Sequence, residues 1–174
     1  MASDPTLRLP VSLVLSAANS VDIEAGTDQW GAPADLVSWL HKHADGPASG
    51  RLSVQEFEGA RVLRDRLRAL IADGDPTGFD AAARAYPLRV EIADGLPALT
   101  PVADGAIGAL TRIVAAVASA GLDGSWDHIK LCAADDCRWA FYDESRNHSR
   151  TWCSMRVCGN RTKARLYRAR HQPA

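Results

Sequence analysis

Four cysteines in the last third of the sequence constrain the fold more than any other feature. Cys132, Cys137, Cys153 and Cys158 form two equally spaced pairs, C-x4-C-x15-C-x4-C. A tetrahedral zinc ion takes four thiolates from two such clamps, and the interval between the clamps has a length that zinc modules use. The pattern predicts one zinc ion bound by these four residues. Four buried free cysteines or two disulfides are the alternatives.

The predicted site is structural rather than catalytic, because four thiolates leave no coordination position open for water or substrate. The metal would stabilise a module of about 45 residues, which is too small to depend on its hydrophobic core alone. Trp139, Phe141 and Tyr142 lie between the clamps and predict a short strand that covers the zinc site; stacking on nucleic-acid bases is the alternative. No local motif predicts a catalytic residue, so we expect no enzymatic activity.

The charges of the chain are distributed unevenly, although the net charge is only −1. Residues 1–128 contain 10 Lys+Arg and 17 Asp+Glu, whereas residues 129–174 contain 10 Lys+Arg and four Asp+Glu. From Ser145 onward there are eight basic residues and no acidic one. A basic tail can simply keep a protein in solution, but an acid-free segment of this kind is more typical of a surface that binds a polyanion.

The segment NRTKARLYRAR, which follows Cys158 and Gly159, predicts a helix that begins at the zinc site. The positive N-terminal end of such a helix would stabilise the Cys158 thiolate. Arg161, Arg165 and Arg168 recur on one side of this helix. Cations on a rigid helix lose less entropy per phosphate contact than cations on a loose tail, which favours phosphate binding by this segment.

The first 120 or so residues predict a mainly helical domain. Ser53 and Glu56 form a capping box that opens a helix over 53–72, and a second long helix is predicted over 104–120 with Gly121 as its C-terminal cap. Turn residues gather at 121–127, where the helical pattern ends. We therefore predict domains at 1–124 and 128–172. The smaller predicted elements are a helix over about 10–22, helices beginning at Pro33 and after Asp75-Pro76, and a hairpin over 88–102.

The compartment is predicted from what the sequence lacks. There is no run of 18 apolar residues, and the N-terminal segment MASDPTLRLP does not have the layout of a secretory signal. We expect a cytoplasmic protein without membrane contact and with reduced cysteines.

The last part of the chain resembles the CGNR zinc-finger family, named for the tetrad Cys158-Gly159-Asn160-Arg161. The resemblance covers about residues 128–171 and includes both clamps, Phe141-x-Asp143, the run SRNHSR over 145–150 and Trp152-Cys153. The first part is similar to the ABATE domain that precedes this finger in bacterial proteins described as stress-induced transcription regulators. Members commonly have two arginines before the Trp-Cys pair, where this chain has Arg150-Thr151, so one expected cation is absent.

The resemblance implies a mainly α N-terminal domain with a small β-hairpin, followed by a treble-clef-like α+β zinc finger that binds DNA. The N-terminal domain would bind a small-molecule or protein ligand. The alternative is a protein-interaction adaptor whose finger is a structural clip that docks on an acidic partner, and the oligomeric state stays open. Asn160 and Arg161 are the candidates for base edges. The predicted DNA-binding residues are Arg146, Arg150, Asn160, Arg161, Lys163, Arg165 and Arg168.

Overall fold

The computed structural model describes residues 9–44, 46 and 48–171. Residues 1–8 and 172, which belong to the two predicted domains, lie outside the described residues, as does most of the N-terminal segment examined for a signal. The described part is mainly helical with a small hairpin, as predicted, and it contains three small antiparallel strand pairs in all. In chain order the elements are α1 (Leu9–Ala18), β1 (Val21–Asp22), β2 (Thr27–Asp28), α2 (Pro33–His43), α3 (Val54–Asp73), α4 (Thr77–Ala83), β3 (Leu88–Ala93), β4 (Leu96–Pro101), α5 (Gly105–Leu122), β5 (Ile129–Leu131), β6 (Ala140–Tyr142) and α6 (Asn160–Arg170).

Helices α1 and α5 pack against each other in the centre of the N-terminal part. Val14 and Ala17 of α1 and Leu110 and Ile113 of α5 are almost completely buried. By length and hydropathy α5 could cross a membrane, with a mean hydropathy of 1.6 over 18 residues, but half of it is buried inside the protein. Core helices of globular proteins pass the same test, so this helix does not indicate a membrane span.

Helix α3 begins as predicted. The Ser53 hydroxyl accepts a hydrogen bond from the Glu56 backbone N–H at 3.2 Å, and the Glu56 carboxylate accepts one from the Ser53 N–H at 2.7 Å. Phe57, Ala60, Leu63 and Leu67 follow at helical spacing and are buried, which explains why this segment packs along one face.

The end of α5 differs from the sequence prediction. Gly121 is not the C-terminal cap: the helix continues to Leu122, and Asp123 caps it. The Asp123 carboxylate accepts hydrogen bonds from the N–H and the hydroxyl of Ser125 at 3.0 and 2.5 Å. Gly124 then takes a left-handed conformation with φ 78°. The chain therefore turns at an Asp-Gly pair three residues beyond the predicted end.

The predicted hairpin is formed by β3 and β4, with Ala93 opposite Leu96. Asp94 and Gly95 connect the strands, and both have positive φ, 51° and 80°. This backbone is favoured in two-residue hairpin loops, and Asp-Gly is a preferred sequence for it.

Buried apolar residues form two clusters. The larger one fills the N-terminal helices and also takes in Ile129 from β5, while the smaller one contains Cys132, Cys137, Phe141 and Cys158. The cysteines thus pack apart from the helical core, although β6 contributes to both clusters, with Tyr142 against the larger one and Phe141 in the smaller one.

Candidate metal centre and basic surface

The first cysteine clamp lies on a short hairpin. Cys132 directly follows β5, and Cys137 stands three residues before β6. The backbone N–H of Cys132 donates to the Trp139 carbonyl at 2.8 Å, and the N–H of Cys137 donates to the Ala134 carbonyl at 2.9 Å. This tight turn directs both sulfur atoms to one side of the hairpin.

The second clamp leads into α6. Cys153 lies in a loop, and Cys158 lies in a single wide turn, Met155–Gly159, that runs directly into the helix. A Cβ atom on Gly159 would lie 2.5 Å from the Met155 sulfur and 3.3 Å from the Trp152 ring. A side chain at this position would push the Met155 side chain aside and crowd the Trp152 ring, so the glycine of the CGNR tetrad allows both residues to pack closely against the second clamp.

The four sulfur atoms converge as a metal site requires. All lie within 4.8 Å of one another, and the Cys153 sulfur is 3.7 Å from those of Cys137 and Cys158. Zinc–sulfur bonds of about 2.3 Å place the corners of a tetrahedron about 3.8 Å apart. The cysteines therefore fit one structural Zn²⁺, with one clamp from a hairpin and the other from a helix start, as in a treble clef.

Burial controls the protonation of these thiols. It raises the pKa of Cys137 to about 11 and raises the pKa of Cys153 further still. For Cys132 burial also acts upward, but backbone hydrogen bonds from Ala134 and Cys153 outweigh it and lower the pKa. Because thiolates are the ligands, zinc must displace protons from Cys137 and Cys153 when it binds.

Arg161 connects the zinc site to the N-terminal part. Its guanidinium donates to the Glu24 carboxylate at 2.5 Å and lies 3.8 Å from the Cys158 sulfur, and its Nε is 3.2 Å from an Asp136 oxygen. The hydrogen bond to Glu24 is the main cause that raises the pKa of Arg161. A residue predicted for DNA is thus placed against a ligand thiolate and two carboxylates.

Glu24 is presented by the loop between β1 and β2. That loop is held by Asp28, whose carboxylate accepts a 2.7 Å hydrogen bond from Arg64. Arg64 is almost completely buried and also lies over the Trp30 ring, at 5.1 Å from its centroid. The strand that follows the Glu24 loop is therefore tied to the helical domain by an ion pair between the buried Arg64 and the partly buried Asp28.

Asp143 organises the loop between β6 and the second clamp. Its completely buried carboxylate accepts hydrogen bonds from Lys130 Nζ at 2.6 Å, from the Ser145 N–H at 3.0 Å and from the Arg150 N–H at 2.9 Å. Burial would raise the pKa of Asp143, but these hydrogen bonds outweigh it and hold the pKa below its ordinary value. The aspartate of the F-x-D motif thus supports the loop 145–150.

The other predicted DNA-binding residues are exposed. Arg165 lies 3.9 Å from Asp136, and Arg150 donates to the Cys153 carbonyl at 2.7 Å while its guanidinium lies 5.1 Å from the centroid of the Phe141 ring. In the described part of the chain, no hydrogen bond or ion pair involves the remaining side chains, which are Arg146, Asn160, Lys163 and Arg168.

The sequence did not predict the contacts between the two parts. The Asn19 amide donates to the Ala140 carbonyl at 2.8 Å and accepts from the Ala140 N–H at 2.7 Å, so it pairs with β6 much as a neighbouring strand would. Arg68 donates to the carbonyls of Ala18 and Arg138 at 2.5 and 2.9 Å. These partners are 50 to 121 residues apart in the chain, and no local pattern could have indicated them.

The fold and the site define a two-part zinc-binding protein: a helical domain joined to a finger whose last ligand opens a basic helix. The family model of the CGNR zinc finger matches residues 128–171. The model of the ABATE family, described as "Putative stress-induced transcription regulator", matches residues 7–135. The chain belongs to the ABATE family and carries a C-terminal CGNR zinc finger, which confirms the resemblance seen in the sequence. A comparison with curated proteins gave no match.

Proposed function

We propose that this protein is a cytoplasmic bacterial transcription regulator that binds duplex DNA through its zinc finger. One observation carries the proposal: helix α6 starts at the zinc site, and none of its residues is buried. Apart from the contacts of Arg161 and Arg165 with Glu24, Asp136 and Cys158, the helix leaves its side chains exposed to a partner, and we infer that it depends on the metal at its start for stability. Lys163, Arg165 and Arg168 on this helix are exposed cations.

Phosphate is the chemical group that these cations suit best. Guanidinium groups bind phosphate oxygens through two parallel hydrogen bonds, and lysine adds a mobile positive charge. Arg146, Lys163 and Arg168 have no partner in the described residues, and Arg165 is only loosely paired with Asp136. About four cations are therefore available for phosphates. Asn160 is exposed at the helix start and is the candidate for a base edge.

The N-terminal domain is proposed to bind a small-molecule or protein ligand and to control the finger. This part of the proposal is supported by three polar contacts that reach the finger from the helical domain in the described residues, through Asn19, Glu24 and Arg68. A ligand that shifts these residues changes the position of β6 and the availability of Arg161. The proposal assigns no catalytic role to the chain.

Binding of labelled duplex DNA by the zinc-loaded chain tests the proposal, with the chelator-treated chain as control. We expect binding at low salt that is lost when zinc is removed, because α6 depends on the metal. Failure of the zinc-loaded chain to bind any duplex at low salt would remove the proposal.

A second candidate is a protein-interaction adaptor, and a specific observation favours it. Met155, Val157, Leu166 and Tyr167 lie in or beside α6 and are each about half exposed or more. Apolar and aromatic side chains among arginines are typical of protein interfaces, and Arg161 already binds carboxylates within the chain. Leu166→Ser with Tyr167→Ser separates the candidates: the double variant would keep DNA affinity in a regulator, whereas an adaptor would lose self-association or capture of an acidic polypeptide.

A further inference from the structure

A second basic site lies between the end of α3 and the zinc finger. It is a pocket of about 420 Å³ with α3 on one side and the clamp and loop residues of the finger on the other. None of the described residues that line it is acidic. The polar and charged residues that line it are Lys130, Arg138, His148, Ser149, Arg150 and Thr151.

The pocket is lined by more basic side chains than there are carboxylates paired with them. Lys130 is paired with the buried Asp143. No carboxylate of the described residues pairs with Arg138 or Arg150. The Arg150 guanidinium donates to the Cys153 carbonyl and lies over the Phe141 ring, and neither group carries a full negative charge, so two arginines that line the pocket are not neutralised. Arg68, whose guanidinium donates to the Arg138 carbonyl, adds a third positive charge nearby. Like charges that share a partly buried space repel each other, and an anion between them would relieve this repulsion.

Two strained residues line the same pocket. Arg138 and His148 have φ values of 51° and 47°, in the left-handed region that glycine adopts without cost. The only other non-glycine residue with positive φ in the described chain is Asp94, in an Asp-Gly hairpin turn where this conformation is expected. The turn after Cys137 would accept glycine, yet the chain places an arginine there. Strain of this kind gathers at binding sites, where the side chain has a role.

We propose that this pocket binds a phosphoryl group through Arg138 and Arg150, assisted by the hydroxyls of Ser149 and Thr151. Paired guanidinium groups with hydroxyl donors match the oxygens of a phosphate. The volume lies within the range of pockets for small molecules. The phosphoryl group can come from a phosphorylated small molecule or from the DNA backbone. A small-molecule source goes beyond the proposed function, whereas a DNA source rests on it.

Arg138→Gly is the informative variant, because it removes the charge and also the backbone strain. Its control is Arg84→Gln, which removes a positive charge from an exposed position away from the pocket. Both full-length variants must first be shown to retain one zinc per chain. We expect Arg138→Gly to unfold at a temperature no lower than the unsubstituted protein, so that any loss of binding is not a loss of folding.

Two titrations distinguish the sources. In the first, inorganic phosphate and adenosine monophosphate are added at constant ionic strength, and heat of binding and the thermal midpoint are measured. In the second, labelled duplex DNA is added to the same three proteins. A small-molecule source predicts binding in the first titration that weakens at least about tenfold in Arg138→Gly and not in Arg84→Gln. A DNA source predicts that loss in the second titration alone.

If Arg138→Gly behaves like Arg84→Gln in both titrations, the pocket does not bind phosphate and the inference is wrong. If none of the three proteins binds DNA but phosphate binding depends on Arg138, the result contradicts the proposed function and supports the phosphate-binding pocket. The two ideas can therefore fail separately.

Discussion

Arg161 and Glu24, which are 137 residues apart in the chain, are joined by a hydrogen bond of 2.5 Å between guanidinium and carboxylate. This contact places an acidic residue of the helical domain on the basic surface of the zinc finger. Asp136 binds the same guanidinium from within the finger. The negative charge of residues 1–128 is thus partly directed at the cations that would meet DNA, and the two can compete.

Substitution of Glu24 tests this competition in the full-length protein. Glu24→Gln removes the negative charge and frees one side of Arg161, so we expect affinity for duplex DNA at low salt to rise by roughly two- to fivefold. Fluorescence anisotropy with labelled DNA measures the change. Glu58→Gln is the matched control, because it removes the same charge from an exposed position on α3 where its partner is Arg61. Equal effects of both substitutions would show that only net charge matters.

Asp143→Asn is expected to destabilise the finger. The carboxylate is completely buried and bound by Lys130, so loss of its charge leaves that ammonium with the His148 carbonyl but without a negatively charged partner. We expect the free energy of unfolding to fall by about 2–4 kcal/mol, measured by denaturant titration at saturating zinc. Glu144→Gln, the exposed neighbouring position, should change it little.

The pKa of Asp143 also predicts how the difference in unfolding free energy between the unsubstituted protein and Asp143→Asn depends on pH. The folded-state pKa of Asp143 is lowered from 3.8, so its contribution is complete above that value and is lost as the pH falls through the folded-state pKa. The stability difference between the unsubstituted protein and Asp143→Asn should therefore stay constant between about pH 8 and pH 5. A difference that shrinks within this range would mean that the carboxylate lacks its hydrogen bonds.

We expect the purified protein to bind one zinc ion per chain, and we expect Cys153→Ser to abolish zinc binding. Three thiolates and a hydroxyl bind zinc far more weakly than four thiolates, and without the metal the small cluster around Cys132 and Phe141 has too little apolar surface to fold. Metal analysis and circular dichroism measure both effects. The signal of α1 to α5 should persist in chelator, because the larger cluster contains no cysteine. One cooperative loss of all helices would show instead that the two parts share one core.

Asn19→Ala tests the contact between α1 and β6. The substitution leaves both the N–H and the carbonyl of Ala140 without a partner in a buried position. We expect a loss of about 2–3 kcal/mol in the free energy of unfolding. Asn147→Ala, in the exposed loop before the second clamp, is the control and should be neutral. A neutral Asn19→Ala would mean that water replaces the amide at no cost.

Local patterns predicted the elements of this protein well. The capping box of α3, the Asp-Gly hairpin and the start of α6 after Cys158 depend on residues close together in the sequence, and the structure confirms them. The two matched cysteine pairs also predicted the geometry of the site, since a tetrahedral zinc ion takes its four ligands from two such clamps. The predicted end of α5 was wrong because a glycine inside a helix gives the same signal as one at its end; in the structure the backbone N–H of Asp123 donates to the Ser119 carbonyl and caps the helix.

Contacts across the chain could not be predicted in this way. The hydrogen bonds of Asn19, Arg68 and Arg161 to distant residues depend on how the helical domain and the finger pack, and nothing in the neighbouring sequence marks these side chains. Arg161 illustrates the consequence: its charge predicted phosphate, but its surroundings in the folded chain are a thiolate and two carboxylates. The charge of a side chain predicts which groups it can bind, but the packing of the folded chain determines which of those groups lie close to it.

The salt dependence of DNA binding tests the proposed function most directly. If the four available cations Arg146, Lys163, Arg165 and Arg168 each contact a phosphate, the logarithm of affinity should fall with the logarithm of salt concentration at a slope near −3.6, roughly a hundredfold loss between 50 and 200 mM. Arg165→Gln should reduce that slope by about one unit. A zinc-loaded protein that binds no duplex DNA at 50 mM salt, or binds it with an affinity independent of salt, would contradict the regulator and favour the adaptor.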